Sequence, residues 1–437
     1  MHLQQKYSRT MFFLTYNILS LILLVPVLLF NIYRSFRLGW PLAATERFGF
    51  VPQSRLAKIS GRPVIWLHAV SVGEVIAARP LLKALRSRYP GHAIVVSNTT
   101  ETGKSTAGGF DEIDLCLYFP FDFLPSVRAM LCAVKPRIII IMETEIWPNF
   151  CREAVRKNIP LLLANGRISD RSFRRYLQFS WFFRPALRCF SAVCMQSEVG
   201  RLRIAAIGAD PETTIVTGNL KNDIPSHQVS GEERERLRDQ YSIPKESCVL
   251  TAGSTRDGEE RYVISAYKEL SAEVGNLFLV LVPRHPERTG EIAELLEAAG
   301  VRYRRRTALS DHRLLQYGEV LLVDTVGEMM NLYALADIAY VGGSLVPLGG
   351  HNLLEPASVG VPTVFGPHMA NFREIEALVL RYGAGIQVHT PEELTVSWRA
   401  LITSAELRGV LGQNGLKMMR DNGGATERHM EVISGYL

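Results

Sequence analysis

The sequence predicts an α/β protein made of two doubly wound parallel-sheet domains in series. Three observations carry the prediction. Unbroken apolar runs rich in Val, Ile and Leu recur along the chain, helix-patterned segments separate them, and the rhythm stops once at a polar stretch before restarting. Apolar runs without polar alternation belong to strands covered on both faces, and the helices between them supply the crossovers that parallel strands require. Length and composition agree. The chain has 437 residues, 47% of them hydrophobic and 21% charged. That is a globular composition with material for two cores of roughly 180 residues each.

The first element is apolar. Met11–Phe30 reads "MFFLTYNILSLILLVPVLLF" and holds no charge, and ~20 such residues span a hydrocarbon core as a helix. The run is long for a signal peptide, and "NIYRSFRLGW" follows it instead of a small-residue cleavage site. Residues 1–35 are therefore expected to be a retained membrane anchor. Lys6 and Arg9 precede the run, while Arg34, Arg37 and Arg47 follow it. That slight excess favours a cytoplasmic body. Six scattered cysteines (Cys116, Cys132, Cys151, Cys189, Cys194 and Cys248) form no CxxC pair, which argues against a zinc site and for a reducing compartment. The formal charge of +6 points to an anionic partner: nucleic acid, an acidic membrane or a phosphorylated substrate.

A basic connector with Pro41 and Pro52 leads into the first domain, residues 36–225. Its expected strands are "VIWLHAV" (64–70), "AIVVSNT" (93–99), "RIIIIME" (137–143), "PLLLANG" (160–166), "AVCMQS" (192–197) and "TTIVTGN" (213–219). The polar stretch that follows reads as an interdomain linker, 226–245, with a short charged helix. In the second domain, 246–415, the expected strands are "CVLTAGST" (248–255), "LFLVLVPR" (277–284), "EVLLVDT" (319–325), "IAYVGGS" (338–344), "PTVFGP" (362–367) and "AGIQV" (384–388). Residues 416–437 are expected to form a C-terminal helix crossing back to the first domain.

Ligands of doubly wound sheets bind beyond the carboxyl ends of the strands, so polar residues there carry the most information. "TTETGKST" (99–106) is not a phosphate loop, because Asn98 stands where that pattern needs glycine; a capped helix start explains it. In "HAVSVGE" (68–74), Glu74 fits two roles: a first-turn carboxylate that complements the helix dipole, and a general base toward a hydroxyl. In "METEIWPN" (142–149), Glu143 and Glu145 end a buried strand, where carboxylates need partners or solvent; they serve as caps or as site residues. Lys221 in "GNLKND" (218–223) is either a solvated lysine or the neutraliser of an anion or glutamate.

In the second half, Arg284 and His285 of "VPRHPER" (282–288) follow a buried strand, and arginine's fork suits phosphate. "DTVGEMMNLYALAD" (324–337) turns at glycine into a helix whose first N–H groups, from Gly327, Glu328 and Met329, point outward. "GGSLVPLGGHNLLEPASVGVP" (342–362) joins glycines that bring backbone close to a ligand, Asn352 as a helix cap, and Glu355 as an acceptor for ribose hydroxyls. Pro356 still fits a first turn.

In that order and spacing, "HAVSVGE", "METEIWPN", "TGNLKND", "VPRHPER", "VGEMM" and "GGSLVPLGGHNLLEPA" resemble the GT-B glycosyltransferases. More closely they resemble the 3-deoxy-D-manno-octulosonic acid (Kdo) transferases, glycosyltransferase family 30, and the likeness runs from the anchor to residue 437. It implies two Rossmann-like domains facing a cleft. It also implies an inverting, metal-independent transfer of Kdo from CMP-Kdo to lipid IVA, a lipid A precursor of lipopolysaccharide core biosynthesis. The reaction would run on the cytoplasmic side of the inner membrane, held there by a single-pass anchor.

Carried over by motif, Glu74 resembles the general base, and Glu143 with Lys221 the pair that supports the transition state. Pro283, Arg284, Gly327, Glu328, Met329, Asn352, Leu353, Leu354 and Glu355 resemble the CMP site. The likeness implies no cofactor, and no Asp-x-Asp metal motif stands out. The implied partners are CMP-Kdo, lipid IVA and the membrane, not nucleic acid; a phosphorylated lipid acceptor also accounts for the basic excess. Two other classes stay open: an epimerase of the UDP-N-acetylglucosamine 2-epimerase type, against which the apolar N-terminus speaks, and a non-catalytic nucleotide-sugar binder. Whether Glu143 or Glu145 is the relevant acid is open at this level too.

Overall fold

A computed structural model describes residues 2–38, 43–309 and 313–437, the side chains at 2–10, 28, 31, 34, 35 and 38 excepted. Pro41, and the side chains of Lys6, Arg9 and Arg34, lie outside the described residues. The chain divides into two compact units, Met1–Asp223 with Gly423–Leu437, and Ile224–Asn422.

The first unit is built on parallel strands β1 (Val64–His68), β2 (Ala93–Asn98), β3 (Leu115–Tyr118), β4 (Pro136–Met142), β5 (Leu161–Gly166), β6 (Ala192–Met195) and β7 (Thr214–Val216). Their order is β3-β2-β1-β4-β5-β6-β7. Side chains alternate between faces. Trp66, Val95, Ile139 and Ile141 enter one core, while Ile65, Leu67, Ile138 and Ile140 enter the other. Both faces are apolar because both are covered. The chain winds outward from β1 to β3, then returns to lay β4 on the far side of β1, so the β1/β4 boundary is the switch point at which such sheets open a crevice.

The unit's C-terminal helix, Ala425–Ser434, is part of that packing. Met430 and Ile433 join the cluster of Leu81, Leu82 and Ile140. Asp223 fixes the helix start by accepting from Ala425 N at 3.0 Å and from Thr426 N. Buried His429 accepts from Asn165 N at 3.0 Å and lies 3.1 Å from Thr217 Oγ1.

The structure does not show the N-terminal anchor expected over residues 1–35: among the described residues no helix is long and apolar enough to cross a membrane. The helix His2–Leu38 instead docks part of its length on the first unit. Phe13 is buried beneath the Arg152 guanidinium, Phe12 packs edge-on against Phe182, Tyr16 Oη donates to Asp122 Oδ2 at 2.7 Å, and Asn149 Nδ2 donates to Asn17 Oδ1 at 3.1 Å. Farther along, Ile18, Ile22, Val25, Leu29 and Phe30 remain exposed.

The second unit repeats the plan with β8 (Cys248–Thr255), β9 (Leu277–Pro283), β10 (Arg302–Arg305), β11 (Glu319–Leu322), β12 (Ile338–Val341), β13 (Thr363–Phe365) and β14 (Gly385–Gln387). The order is β10-β11-β9-β8-β12-β13-β14, again parallel, with its switch point between β8 and β12. The polar stretch after residue 224 holds a helix, Gly231–Gln240, whose Leu237 is buried with Tyr241 and Ile243 in this unit's core.

Two strands escaped the sequence reading, β3 and β10. Both are edge strands, and β10 reads Arg-Tyr-Arg-Arg, the charged surface by which edges avoid pairing with other chains. Most of the other strands stop one to three residues short of their expected ends.

Met430→Ala is expected to lower stability by about 2–4 kcal/mol, through lost burial and the cavity left behind. Urea denaturation monitored by tryptophan fluorescence measures this. An unchanged midpoint would show that the C-terminal helix is not part of the first unit's core.

Candidate functional site

In the first unit the polar residues meet at the switch point. After β1, Ser71 caps the helix Val72–Arg88, and Glu74 sits in its first turn. The bonding is reciprocal, as in a capping box. Ser71 Oγ accepts from Glu74 N at 3.4 Å, Glu74 Oε1 accepts from Ser71 Oγ at 3.1 Å, and Glu74 Oε2 accepts from Val70 N at 2.8 Å. Glu74 is therefore a cap, and it is also only 9% exposed. Burial, helped by nearby Glu143 and Glu145, pushes its carboxyl up to about 7 against the bonds from Val70 and Ser71. A carboxylate with that affinity accepts a proton at neutral pH.

Glu143 follows β4, on the other side of the switch point. Its φ of 56° is left-handed, rare for a residue with a side chain, and its N donates to Ala164 O at 2.9 Å. Lys221 Nζ lies 3.7 Å from Glu143 Oε1. Lys221 belongs to a short turn, Leu220–Asn222, held at its start: Asn219 Oδ1 accepts from Lys221 N, and Asn165 Oδ1 accepts from Leu220 N, each at 3.0 Å. Glu145 is nearby, raised by burial and by Glu143. Of the two acids, Glu143 is the one within ion-pair distance of Lys221. Glu74, Glu143 and Lys221 are thus gathered in one unit.

Sequence reasoning missed Asn165 and His429, which position Lys221 and Asn165 respectively. The "ANG" that closes the fifth strand was the available signal, because asparagine tolerates the left-handed φ of 56° found at Asn165.

The second unit collects its expected residues along the carboxyl edges of β9, β11 and β12. Pro283 ends β9, and Arg284 N donates to Thr255 O at 2.9 Å while its side chain is exposed. Gly327, at φ 89°, turns the chain into the helix Met329–Ala334. Glu328 accepts from Tyr241 Oη at 2.7 Å, Arg306 Nε at 3.0 Å and Thr325 Oγ1 at 2.5 Å. Burial pushes its carboxyl up, and those three bonds win, holding it below the ordinary value. Its partners Tyr241 and Arg306 come from stretches that carried no motif.

Asn352 Oδ1 accepts from Leu354 N at 3.1 Å, ahead of the short helix Leu354–Ser358. Leu353 and Leu354 are fully buried, so they offer a ligand only backbone. Glu355 is raised by burial against the nearby charge of Arg284 and a bond from Asn352.

The paired glycines have a reason within the fold itself. A Cβ at Gly349 or Gly350 would collide with Asn371 or with Met369, and both residues have positive φ, 88° and 71°. Among the described residues, no group of three or more His, Cys, Asp or Glu is placed to hold a metal ion.

Comparison with known proteins gives a consistent picture. A family model described as 3-deoxy-D-manno-octulosonic-acid transferase (kdotransferase) matches residues 43–224. The 3-deoxy-D-manno-octulosonic acid transferase of Haemophilus influenzae is 34% identical over 394 residues, 90% of this chain and 91% of that protein. The Bordetella pertussis protein of the same name is 33% identical over 410 residues, 91% of this chain and 92% of that one. Among solved structures, the UDP-GlcNAc 2-epimerase of Neisseria meningitidis bound to UDP-GlcNAc superposes with a TM-score of 0.54 at 15% identity, over 85% of this chain and 100% of that one; at that identity the likeness concerns the fold alone.

The bonds around Glu74 set the sign of two substitutions. Ser71→Ala removes a bond that favours the carboxylate, so the midpoint should rise above about 7; Glu143→Gln removes a repelling charge, so it should fall. Carboxyl-carbon NMR titration measures both. A wild-type midpoint near 4.5 would mean that Glu74 is solvated.

Proposed function

This chain belongs to the 3-deoxy-D-manno-octulosonic acid (Kdo) transferase family, and from that premise we propose that it moves Kdo from CMP-Kdo to lipid IVA with inversion at the anomeric carbon. The observation that carries the mechanism is the nearly buried Glu74 carboxyl, held by Val70 N and Ser71 Oγ and pushed up to about 7. Such a group is deprotonated often enough at neutral pH to act as base, and basic enough to take a proton from a sugar hydroxyl as the hydroxyl attacks.

In this reading the bond from the anomeric carbon to the CMP phosphate breaks, with its electron pair leaving on CMP. Positive charge develops on the sugar. The acceptor hydroxyl oxygen forms the new bond from the opposite face, and its proton goes to Glu74. Lys221 and Glu143 support the charge shift, and Arg284 with the backbone N–H groups of Gly327, Glu328 and Met329 receives the leaving phosphate. Asn352 to Glu355 hold the nucleoside, Leu353 and Leu354 through backbone alone. None of these roles calls for a metal.

The acceptor is an acylated, phosphorylated disaccharide, so the reaction belongs at the cytoplasmic face of the inner membrane. Support comes from a surface of the first unit on which exposed Leu177, Phe179 and Trp181 stand among exposed Arg171, Arg174, Arg175 and Arg184. Aromatic and basic side chains together suit an anionic lipid interface.

Incubating the purified protein with CMP-Kdo and lipid IVA and weighing the lipid should show one or more Kdo increments; no increment sinks the reading. Glu74→Gln should cut kcat about 10²- to 10⁴-fold with CMP affinity unchanged. Wild-type kcat/KM should climb as pH rises through about 7, where Glu74 deprotonates, and Glu74→Gln should flatten that limb. Replacing Phe179 and Trp181 together by Glu should weaken co-sedimentation with anionic vesicles and spare CMP binding.

A further inference from the structure

The switch point of the second unit carries a cation that these roles leave unused. β8 ends at Thr255, with Ser254 in the left-handed region at φ 56°. Arg256 N then donates to Glu259 Oε1 at 2.7 Å, Gly343 N donates to the same oxygen at 2.5 Å, and Tyr340 Oη donates to Oε2 at 2.9 Å. Glu259, fully buried, thus ties the loop after β8 to the loop after β12, the two strands at which the sheet order reverses. A Cβ at Gly342 would stand 2.5 Å from Glu259 Oε1, so this knot requires glycine there.

The Arg256 side chain is aimed as well as anchored. Its Nη1 lies 2.6 Å from His285 Nε2, and His285 Nδ1 lies 3.3 Å from Glu287 Oε1. A guanidinium only donates, so His285 accepts at Nε2 and carries its proton at Nδ1, toward Glu287. Among the described residues no carboxylate lies within ion-pair distance of Arg256, whereas neighbouring Arg288 is shared by Asp257, Glu260 and Glu291. Gly343, at φ 66°, leaves bare backbone beside Arg256: a Cβ there would sit 3.4 Å from Arg256 Cγ and 3.2 Å from His351 Cδ2. Burial and then the charges of Arg284, Arg256 and His285 push His351 down to about 4.

A Kdo nucleotide bears two anions on one carbon, the phosphate ester and the carboxylate of the sugar acid. Two anions on one carbon are matched by two separately anchored cations. We propose that Arg256, oriented by Glu259 and His285, binds the carboxylate on the anomeric carbon of the donor sugar while Arg284 takes the phosphate, so that the second unit selects keto-acid sugars over neutral hexoses. The inference rests on the CMP-Kdo reading above and deepens it.

Calorimetric titration of the full chain with CMP and with CMP-Kdo, acceptor omitted, tests it. Arg256→Ala should weaken CMP-Kdo about 10- to 100-fold, the size of a lost charge-assisted bond, and leave CMP within about 2-fold. His285→Ala should shift CMP-Kdo the same way by a smaller factor, and it carries the test together with Arg256→Gln if Arg256→Ala fails to fold. Equal weakening of both ligands would make Arg256 a phosphate ligand and overturn the carboxylate assignment, as would CMP-Kdo affinity unchanged by either variant. Wild-type protein that binds neither ligand would instead sink the donor reading itself.

Discussion

Burial of both sheet faces is the constraint on which the rest of this protein depends. A strand such as Pro136–Met142, with four consecutive isoleucines covered on two sides, has no surface left for chemistry. Polar function is driven to the strand ends, and within the ends to the switch point, where successive crossovers leave in opposite directions. Glu74 follows β1 and Glu143 follows β4; Arg256 follows β8 and Gly343 follows β12. The groups assigned to catalysis and to donor recognition therefore occupy equivalent places in two sheets with different strand orders.

That location also shapes the electrostatics. Glu74 completes a helix cap and is nearly buried, and these facts pull its proton affinity in opposite directions. The bonds from Val70 and Ser71 favour the carboxylate; burial and the neighbouring acids oppose it and prevail. Structural and catalytic readings of this residue are therefore not rivals. The cap fixes the carboxyl in place, and incomplete compensation of its desolvation leaves it near neutrality. Glu328 shows the opposite balance: the bonds from Thr325, Tyr241 and Arg306 outweigh burial and hold it ionised. Glu74 is the more deeply buried of the two and Glu328 has more donors, one of them a guanidinium, so the balance tips in opposite directions.

Two sequence signals have a further partner within the protein. The uncharged run at residues 11–30 suggested lipid; its first part bonds to the first unit through Tyr16 with Asp122 and Asn17 with Asn149 and buries Phe13, while Ile18, Ile22, Val25, Leu29 and Phe30 stay exposed. The Gly349–Gly350 pair suggested a ligand, but a side chain there would strike Asn371 and Met369. In both places the pattern correctly announced an unusual contact and did not say with what.

Much was legible in the sequence because it is local. Continuous aliphatic runs identify doubly covered strands, turn glycines and cap residues mark their ends, and the order of six motifs was enough to suggest the family. Edge strand β10 was invisible because it carries charged side chains, and β3, Leu-Cys-Leu-Tyr, because four residues make too short a run to stand out. Other decisions lay beyond the sequence because they join residues far apart in the chain. His429 holds Asn165, which holds Leu220 and so places Lys221 beside Glu143. Glu259 fastens Arg256 to Gly343, and His285 from another strand end lies against the Arg256 guanidinium. Tertiary structure alone decides such geometry, since the spacing between these groups along the chain bears no relation to their distance in space.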